Sequence, residues 1–330
     1  MPLPEKAFIA QIRRLANRSS APGKKPVKSR GVLTGIGDDC AVLGVSPESD
    51  LLVTTDFSLE GVHFRRDWHP AEAVGHRCLA RGLSDIAAMG GKPVAAFLSL
   101  ALSRDVPPTW VERFMRGLLK LADKHDTALA GGDTSESPDG ILADIVVIGS
   151  VPAGTAVRRS GARVGDGIYV TGQLGASAAA LAHMRKEPKK KLNPQSYPRH
   201  FFPEPRLEAG EILRQNNLAS SMIDLSDGLS TDLAHICEES GVGAELLAQA
   251  IPHAITGKPA TPVDLRLALH GGEDYELLFT APAGKRIPSQ IVGVPVTEIG
   301  KIIRGKKMFL RDSHGKRHQL QPRGWEHFHD

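Results

Sequence analysis

Six aspartates in this chain occupy equivalent places in recurring motifs, four of them directly after glycine- or hydroxyl-bearing strand ends: Asp39 in Gly35-Ile36-Gly37-Asp38-Asp39, Asp56 in Thr54-Thr55-Asp56, Asp85 in Leu83-Ser84-Asp85-Ile86, Asp133 in Gly131-Gly132-Asp133-Thr134, and Asp224 with Asp227 in Asp224-Leu225-Ser226-Asp227-Gly228. One such aspartate is most simply a turn residue or a helix cap. The set reads differently. Converging carboxylates repel unless cations lie between them, and Mg²⁺ takes oxygen ligands, preferring one or two carboxylates together with phosphate oxygens. The six therefore predict several magnesium ions and a polyphosphate. Asp56 is the first candidate ligand, because a carboxylate at the end of the apolar run 51–53 is costly to desolvate unless a cation or hydrogen-bond donors await it. Asp224 and Asp227 reach one metal if the turn between them is helical, and serve different ones if it is a tight loop.

Glycines beside these acids fit a phosphate. Gly35, Gly37, Gly131 and Gly132 permit close backbone approach, and the turn 226–228 opens a helix whose free N–H groups favour anions. The chain has no Gly-x4-Gly-Lys-Ser/Thr, and 35–40 departs from the dinucleotide fingerprint at its third glycine, so neither a P-loop nor a Rossmann nucleotide site is supported.

The elements that must position these residues follow from the apolar spacing. Phe8, Ile9, Ile12 and Leu15 predict a short amphipathic helix, and the basic stretch 17–29 a mobile loop. Residues 51–53 form a strand leading into the Thr54-Thr55-Asp56 turn. Pro70 starts a helix that carries Asp85 and ends near Gly90-Gly91. Strand 94–102, a helix from Pro107-Pro108, the short strand 127–130 and the longer strand 141–151 complete a first half. In the second, strand 168–171 runs into an alanine-rich helix from Leu174, and the basic, proline-rich 185–205 reads as a loop that orders poorly without ligand. A helix over 206–214, strand 221–223, a helix through Leu229, Leu233 and Ile236, helix 263–269 and strand 275–279 follow. Strands alternating with helices make this an α/β (α+β) chain. With 330 residues and 41% hydrophobic content it divides into two domains, 1–153 and 154–330, each able to bury a core.

Composition removes other classes. Aromatic residues make up only 5%, which argues against a base-stacking nucleic-acid platform. The net charge of +4 is concentrated in 18–30, 185–191 and 301–317, where proline and serine among the basic residues suit solvated loops. Cys40, Cys78 and Cys237 have neither zinc nor disulfide spacing and suit a reducing compartment. No apolar run approaches the ~18 residues of a membrane span, and the start lacks the apolar core of a secretory signal. A soluble cytoplasmic protein is expected.

Taken together the motifs resemble the thiamine-monophosphate kinase family, whose fold is similar to that of aminoimidazole ribonucleotide synthetase. The resemblance rests on Gly35-Ile36-Gly37-Asp38-Asp39, Thr54-Thr55-Asp56 with Glu60-Gly61-Val62-His63-Phe64, 83–90, Gly131-Gly132-Asp133-Thr134, Asp224-Leu225-Ser226-Asp227-Gly228-Leu229, Gly272-Glu273-Asp274-Tyr275-Glu276-Leu277 and Gly324-Trp325-Glu326-His327-Phe328, in the family's order from residue 5 to the end. It implies an N-terminal half-barrel sheet completed by a second subunit, hence a homodimer, and a C-terminal α/β domain. It implies metal binding by Asp39, Thr54, Thr55, Asp56, Asp85, Asp133, Asp224 and Asp227, and ATP contacts at Gly132, Asp133, Arg159 and Ser226, with Arg158 a competitor for the arginine's role. It also implies substrate contacts at His63, Glu273 and Trp325. The basic segments 18–30 and 185–199 have no counterpart that the resemblance assigns.

The implied reaction is ATP-dependent phosphorylation of thiamine monophosphate to thiamine diphosphate by direct in-line transfer. It suits a site rich in aspartate and poor in bases, because the attacking phosphate oxygen is already anionic and needs no general base. The difficulty is charge: two unit charges at ~4 Å repel by about 1 kcal/mol in water and about 4 in a protein-like dielectric. Metal ions held by groups such as Asp56, Asp85 and Asp133 would offset it. His63 is expected to position substrate, Glu273 to accept from the aminopyrimidine, and Trp325 to stack on the thiazolium cation. The alternatives are a superfamily synthetase of the selenophosphate or aminoimidazole ribonucleotide type, or a protein that binds nucleotide or thiamine phosphate without catalysis. A selenophosphate synthetase usually has a reactive cysteine near its N-terminus, and this chain has none before Cys40. A nucleic-acid role for the basic segments ranks third.

Overall fold

The structure, a computed structural model, describes residues 12, 14, 15, 32–34, 42–257 and 260–325. Ile12, Arg14 and Leu15 are helical as their spacing predicts; the loop 17–29 and the Gly35 to Cys40 motif with Asp39 lie outside the described residues. The chain divides into two compact units, one of the described residues up to 86 with 92–154, the other of 87–91 with 155 onward.

The first unit contains strands β1 (Val32–Thr34), β2 (Val42–Leu43), β3 (Ser49–Leu59), β4 (Lys92–Leu102), β5 (Ala128–Glu136) and β6 (Ile141–Pro152), with helices α1 (Ala71–Ala88) and α2 (Pro108–Lys124). β1 pairs with β2, and the other four form a sheet in the order β3-β6-β4-β5, in which β4 and β5 are parallel and the remaining pairs antiparallel. Along β6, buried Ile141, Ala143, Ile145 and Val147 alternate with partly exposed neighbours, the period-2 pattern of a sheet with one covered face. α1 lies against that face so closely that a Cβ at Gly82 would be 2.5 Å from Val147 Cγ2. α1 and α2 approach equally closely, a Cβ at Gly75 meeting the Phe114 carbonyl at 2.0 Å. α2 buries Val111, Phe114, Met115, Leu118, Leu119 and Ala122, the stripe its periodicity predicts.

Two strands are longer than the sequence suggests. Thr54-Thr55-Asp56 lies within β3 rather than in a turn after it, and Gly131-Gly132-Asp133-Thr134 lies within β5 rather than in a loop. The second continues as strand because Gly132, at φ 143°, has no Cβ; one would lie 1.8 Å from the Leu98 carbonyl of β4.

The second unit contains β7 (Gly167–Thr171), β8 (Ser221–Asp224), β9 (Gly243–Leu247), the small pair β10 (Ile255–Thr256) and β11 (Thr261–Pro262), then β12 (Leu277–Ala281), β13 (Gln290–Ile291), β14 (Val294–Ile303), β15 (Met308–Arg311) and β16 (Arg317–Leu320). Its helices are α3 (Ala176–Lys186), α4 (Pro198–Phe201), α5 (Leu207–Gln215), α6 (Leu229–Ser240) and α7 (Leu265–His270). The main sheet runs β16-β15-β9-β14-β7-β12-β8, with β13 on β14. Ile168, Val170, Leu233, Ile236, Leu278, Ile299 and Ile302 form its core. The segment 185–205, expected to order poorly, instead holds a 3-10 turn, Pro194–Ser196, and α4. Buried Phe201 and His200 anchor it, His200 Nδ1 meeting Ser177 Oγ at 2.8 Å. No helix among the described residues is long and apolar enough to cross a membrane.

Candidate functional site

In the first unit the chemistry gathers between β3 and α1. Thr54 and Asp56, two residues apart, lie on the helix-covered face of β3. Thr54 Oγ1 donates to the Asp85 carboxylate on α1. Asp56 has its pKa raised from 3.8 to about 7, first by burial and then by the charge of Asp85, with Asp144 adding to the effect and Arg81 opposing it. Crowded, half-buried carboxylates of this kind are a donor set in want of a cation, which is the chemistry Mg²⁺ fits. Thr55 points to the other face, where its hydroxyl donates to Asp144 Oδ1 at 2.7 Å. Asp144 is a further acidic group that the motifs did not single out; its signal is one carboxylate interrupting the apolar alternation of 141–151.

Asp133 takes a different place from Asp56 and Asp85. The registers put Phe57 opposite Asp144, Asp144 opposite Ser99, and Ser99 opposite Asp133, one row across the sheet on the face away from α1. Asp133 is therefore two strands from Asp144, about 9–10 Å by ordinary strand spacing. It is exposed, and its Oδ1 accepts the Thr134 N–H at 2.8 Å.

β3 also delivers His63. After Leu59 the chain turns tightly, with Gly61 N–H donating to Phe64 O and His63 N–H to Leu59 O. The Leu59 N–H donates back to His63 Nδ1 at 3.0 Å. Nδ1 is thus an acceptor, and the proton of the neutral ring sits on Nε2, which can donate to a phosphate oxygen. Arg66 braces the turn, donating to Glu60 Oε1 at 2.6 Å and to Asp105 Oδ2 at 2.8 Å.

In the second unit the candidates converge on the turn between β8 and α6. Asp224 is the last residue of β8 and buried, and Gly228, at φ 115°, caps α6. The residues between them form a tight loop rather than a helical turn, so helical i, i+3 sharing of one metal does not apply. Asp232 Oδ2 accepts the N–H groups of Asp227 at 3.2 Å and Gly228 at 3.0 Å. Its own pKa is raised by burial and by Asp224 and Asp227. Carboxylate oxygens of Asp227 and Asp232 and a ring nitrogen of His235 lie within 4.8 Å of one another, a spacing one cation can bridge. Asp232 and His235 were not read as site residues, because an acid in a helix's first turn is most simply a partner for its N-terminus.

Glu273 and Trp325 meet the same turn. Glu273 N–H donates to Ser226 O at 2.7 Å, and Trp325 N–H to Asp227 O at 3.1 Å. The other acids of the 272–277 motif are structural: Asp274 Oδ2 accepts the Gly175 N–H at the start of α3, and buried Glu276 takes Arg206 through both oxygens, at 2.7 and 2.5 Å. Arg158 and Arg159 are both exposed. Arg158 lines a cleft of about 200 Å³ with Val157, Ser160, Arg214 and Ser220, and Arg159 does not. Thr54, Asp56 and Asp85 are thus gathered in one unit, and Asp224, Ser226, Asp227, Glu273 and Trp325 in the other. Asp133, Gly132, His63 and Arg159 occupy separate positions within their own units.

The N-terminal domain of AIR synthase related protein matches residues 37–151, and the C-terminal domain 163–313. The chain is 41% identical over 315 residues to a thiamine-monophosphate kinase of Salmonella typhimurium, covering 90% of this chain and 92% of that one. Among solved structures, the thiamine-monophosphate kinase of Stenotrophomonas maltophilia K279a superposes with a TM-score of 0.77 at 35% identity, covering 94% of this chain and 97% of that one. A structure of AaThiL complexed with AMPPCP and TMP gives 0.75 at 33% identity, covering 86% and 89%.

Proposed function

The chain belongs to the thiamine-monophosphate kinase family, and from that premise we propose that it transfers the terminal phosphoryl group of ATP directly to the phosphate of thiamine monophosphate, giving thiamine diphosphate and ADP. The observation that carries this reading is the meeting of Ser226, Asp227, Glu273 and Trp325 through two backbone hydrogen bonds, Glu273 to Ser226 and Trp325 to Asp227. Residues read from separate motifs as nucleotide, metal and substrate contacts share one turn.

Magnesium bound here would supply charge neutralisation for the two phosphates brought together. Thr54, Asp56 and Asp85 would hold it in the first unit and Asp224 and Asp227 in the second, with Asp39, Thr55 and Asp133 as further oxygen donors. The raised pKa of Asp56, caused first by burial and then by the charge of Asp85, supports this, since a cation there would offset both. Gly132, Asp133, Arg159 and Ser226 contact ATP. His63 donates from Nε2 to the substrate phosphate, Glu273 accepts from the aminopyrimidine, and the exposed Trp325 ring stacks on the thiazolium. No side chain removes a proton from the attacking oxygen, which is already anionic.

The same reading makes the protein cytoplasmic, with domains 1–153 and 154–330, and a homodimer. The dimer is supported by the face of the first sheet turned away from α1, where Leu51, Val53 and Phe57 are 47%, 65% and 55% exposed; exposed large apolar side chains gathered on one strand suit association. Mass spectrometry of the products tests the transfer. Incubation with ATP, Mg²⁺ and thiamine monophosphate yields thiamine diphosphate, and recovery of unchanged thiamine monophosphate beside ADP would refute it.

A further inference from the structure

The C-terminal segment that carries Trp325 belongs to no strand of the second unit; residues 321–325 run as coil and bend. What holds it is the first turn of α6. Ser230 Oγ accepts the Arg323 N–H at 3.3 Å, Thr231 Oγ1 accepts the Gly324 N–H at 3.0 Å, and the next residue donates its own N–H to Asp227 O at 3.1 Å. Three successive backbone N–H groups of the tail are thus taken by α6 and the loop that precedes it. Gly324 fits only because it lacks a side chain: a Cβ there would lie 2.1 Å from the Asp227 carbonyl and 2.5 Å from Thr231 Oγ1.

Ser230 is shared with His270, whose Nδ1 lies 2.8 Å from its hydroxyl. Thr231 is placed differently. Its hydroxyl takes the amide immediately before the tryptophan, and its own N–H belongs to the helix, donating to Gly228 O at 2.9 Å. Beside the bond from Trp325 N–H to Asp227 O, the position from which the indole leaves the turn therefore depends on one hydroxyl and one glycine.

We propose that Thr231 is a positioning residue for substrate recognition: its hydroxyl, with the absence of a side chain at Gly324, fixes Trp325 beside the Asp227 turn and so sets affinity for the thiamine end of the substrate. The inference rests on the kinase reading and on the stacking role of Trp325. A side-chain hydroxyl bonded to a backbone amide contributes on the order of 0.5–1.5 kcal/mol net, which corresponds to roughly two- to tenfold in binding.

The test compares Thr231→Val, which keeps the shape and removes the acceptor, with Thr231→Ser, which keeps the acceptor. Gly324→Ala and Trp325→Ala complete the set. Each is measured for KM of thiamine monophosphate and KM of ATP separately, with thiamine monophosphate binding followed by tryptophan fluorescence and folding by circular dichroism. The expected result for Thr231→Val is a KM for thiamine monophosphate raised roughly two- to tenfold, with KM for ATP at the wild-type value and Thr231→Ser restored toward wild type. Gly324→Ala shows the larger rise of the two, again confined to the thiamine substrate. Normal kinetics in Thr231→Val alongside an impaired Trp325→Ala would overturn the inference alone. Equal rises in both KM values would overturn it as well, since general loosening of the unit has that signature. Normal kinetics in Trp325→Ala would remove the tryptophan's role, and with it the reading on which the inference stands.

Discussion

Thr54, in the middle of β3, donates its hydroxyl hydrogen to the carboxylate of Asp85, which lies 31 residues further on within α1. The bond ties the sheet to the helix beside half-buried Asp56, whose pKa is raised to about 7 first by burial and then by the charge of Asp85. The arrangement opposes folding by charge repulsion and is consistent with cation binding.

Asp56→Asn removes one of these charges. Turnover is expected to fall by at least about 100-fold, since even groups that only support metal ligands cost 10–100-fold when lost. The metal-free variant should melt no lower than the wild type, and it should gain less than the wild type from added Mg²⁺, because stabilisation by a ligand scales with its affinity for the folded state. Melting curves with and without Mg²⁺ read both effects. A wild-type rate in this variant would contradict the metal role.

Asp274 gives a pH dependence of definite sign. Burial of its carboxyl group raises the pKa from 3.8 to about 7. Between those values the folded chain holds a proton that the unfolded chain has released. The associated stability is fully present below about 3.8 and is lost as pH rises through about 7. Asp274→Asn should flatten that part of the profile in urea unfolding measured across pH. The same slope in variant and wild type would assign it to other groups.

Glu276 is buried in the second unit, with Arg206 donating to both of its oxygens and Thr171 Oγ1 donating at 2.7 Å. Arg206→Met leaves that carboxylate with only the longer ion pair to Arg199, 3.6 Å from Oε1. A loss of about 3–5 kcal/mol in folding stability is expected, measured by chemical denaturation. Arg206→Lys should recover part of it, although a single ammonium does not reproduce the two-pronged contact.

Phe57→Asp tests the dimer. Phe57 lies on the face of the first sheet turned away from α1 and is 55% exposed, so the substitution disturbs no core. Light scattering should show a dimer for the wild type and a monomer for the variant, with unchanged circular dichroism. A dimeric variant would place the subunit contact elsewhere.

Much of the architecture was legible because local patterns carried it. The stripe Val111, Phe114, Met115, Leu118 and Leu119 predicts α2, and the buried face of 141–151 predicts β6. What escaped depends on distant partners. Gly131 to Thr134 read as a loop because two adjacent glycines usually break a strand, and only the close approach of Leu98 explains why β5 needs Gly132. The edge strand β16 and its neighbour β15 were hidden in and beside a basic run whose polar residues mask the alternation. In the site, motif residues were found because each combines an acid with a glycine or hydroxyl. Asp144 and Asp232 were missed because each sits inside a regular element, where its neighbours look structural. Their roles appear only once Thr55 is seen bonded to Asp144, and the Asp227 and Gly228 amides to Asp232.

Release of ADP in the presence of Mg²⁺, compared across thiamine monophosphate, thiamine and no acceptor, tests the central claim most directly. The account predicts stoichiometric ADP and thiamine diphosphate with thiamine monophosphate alone, and no release when Mg²⁺ is withheld. Equal ADP release without an acceptor, or transfer to thiamine as readily as to its monophosphate, would contradict it.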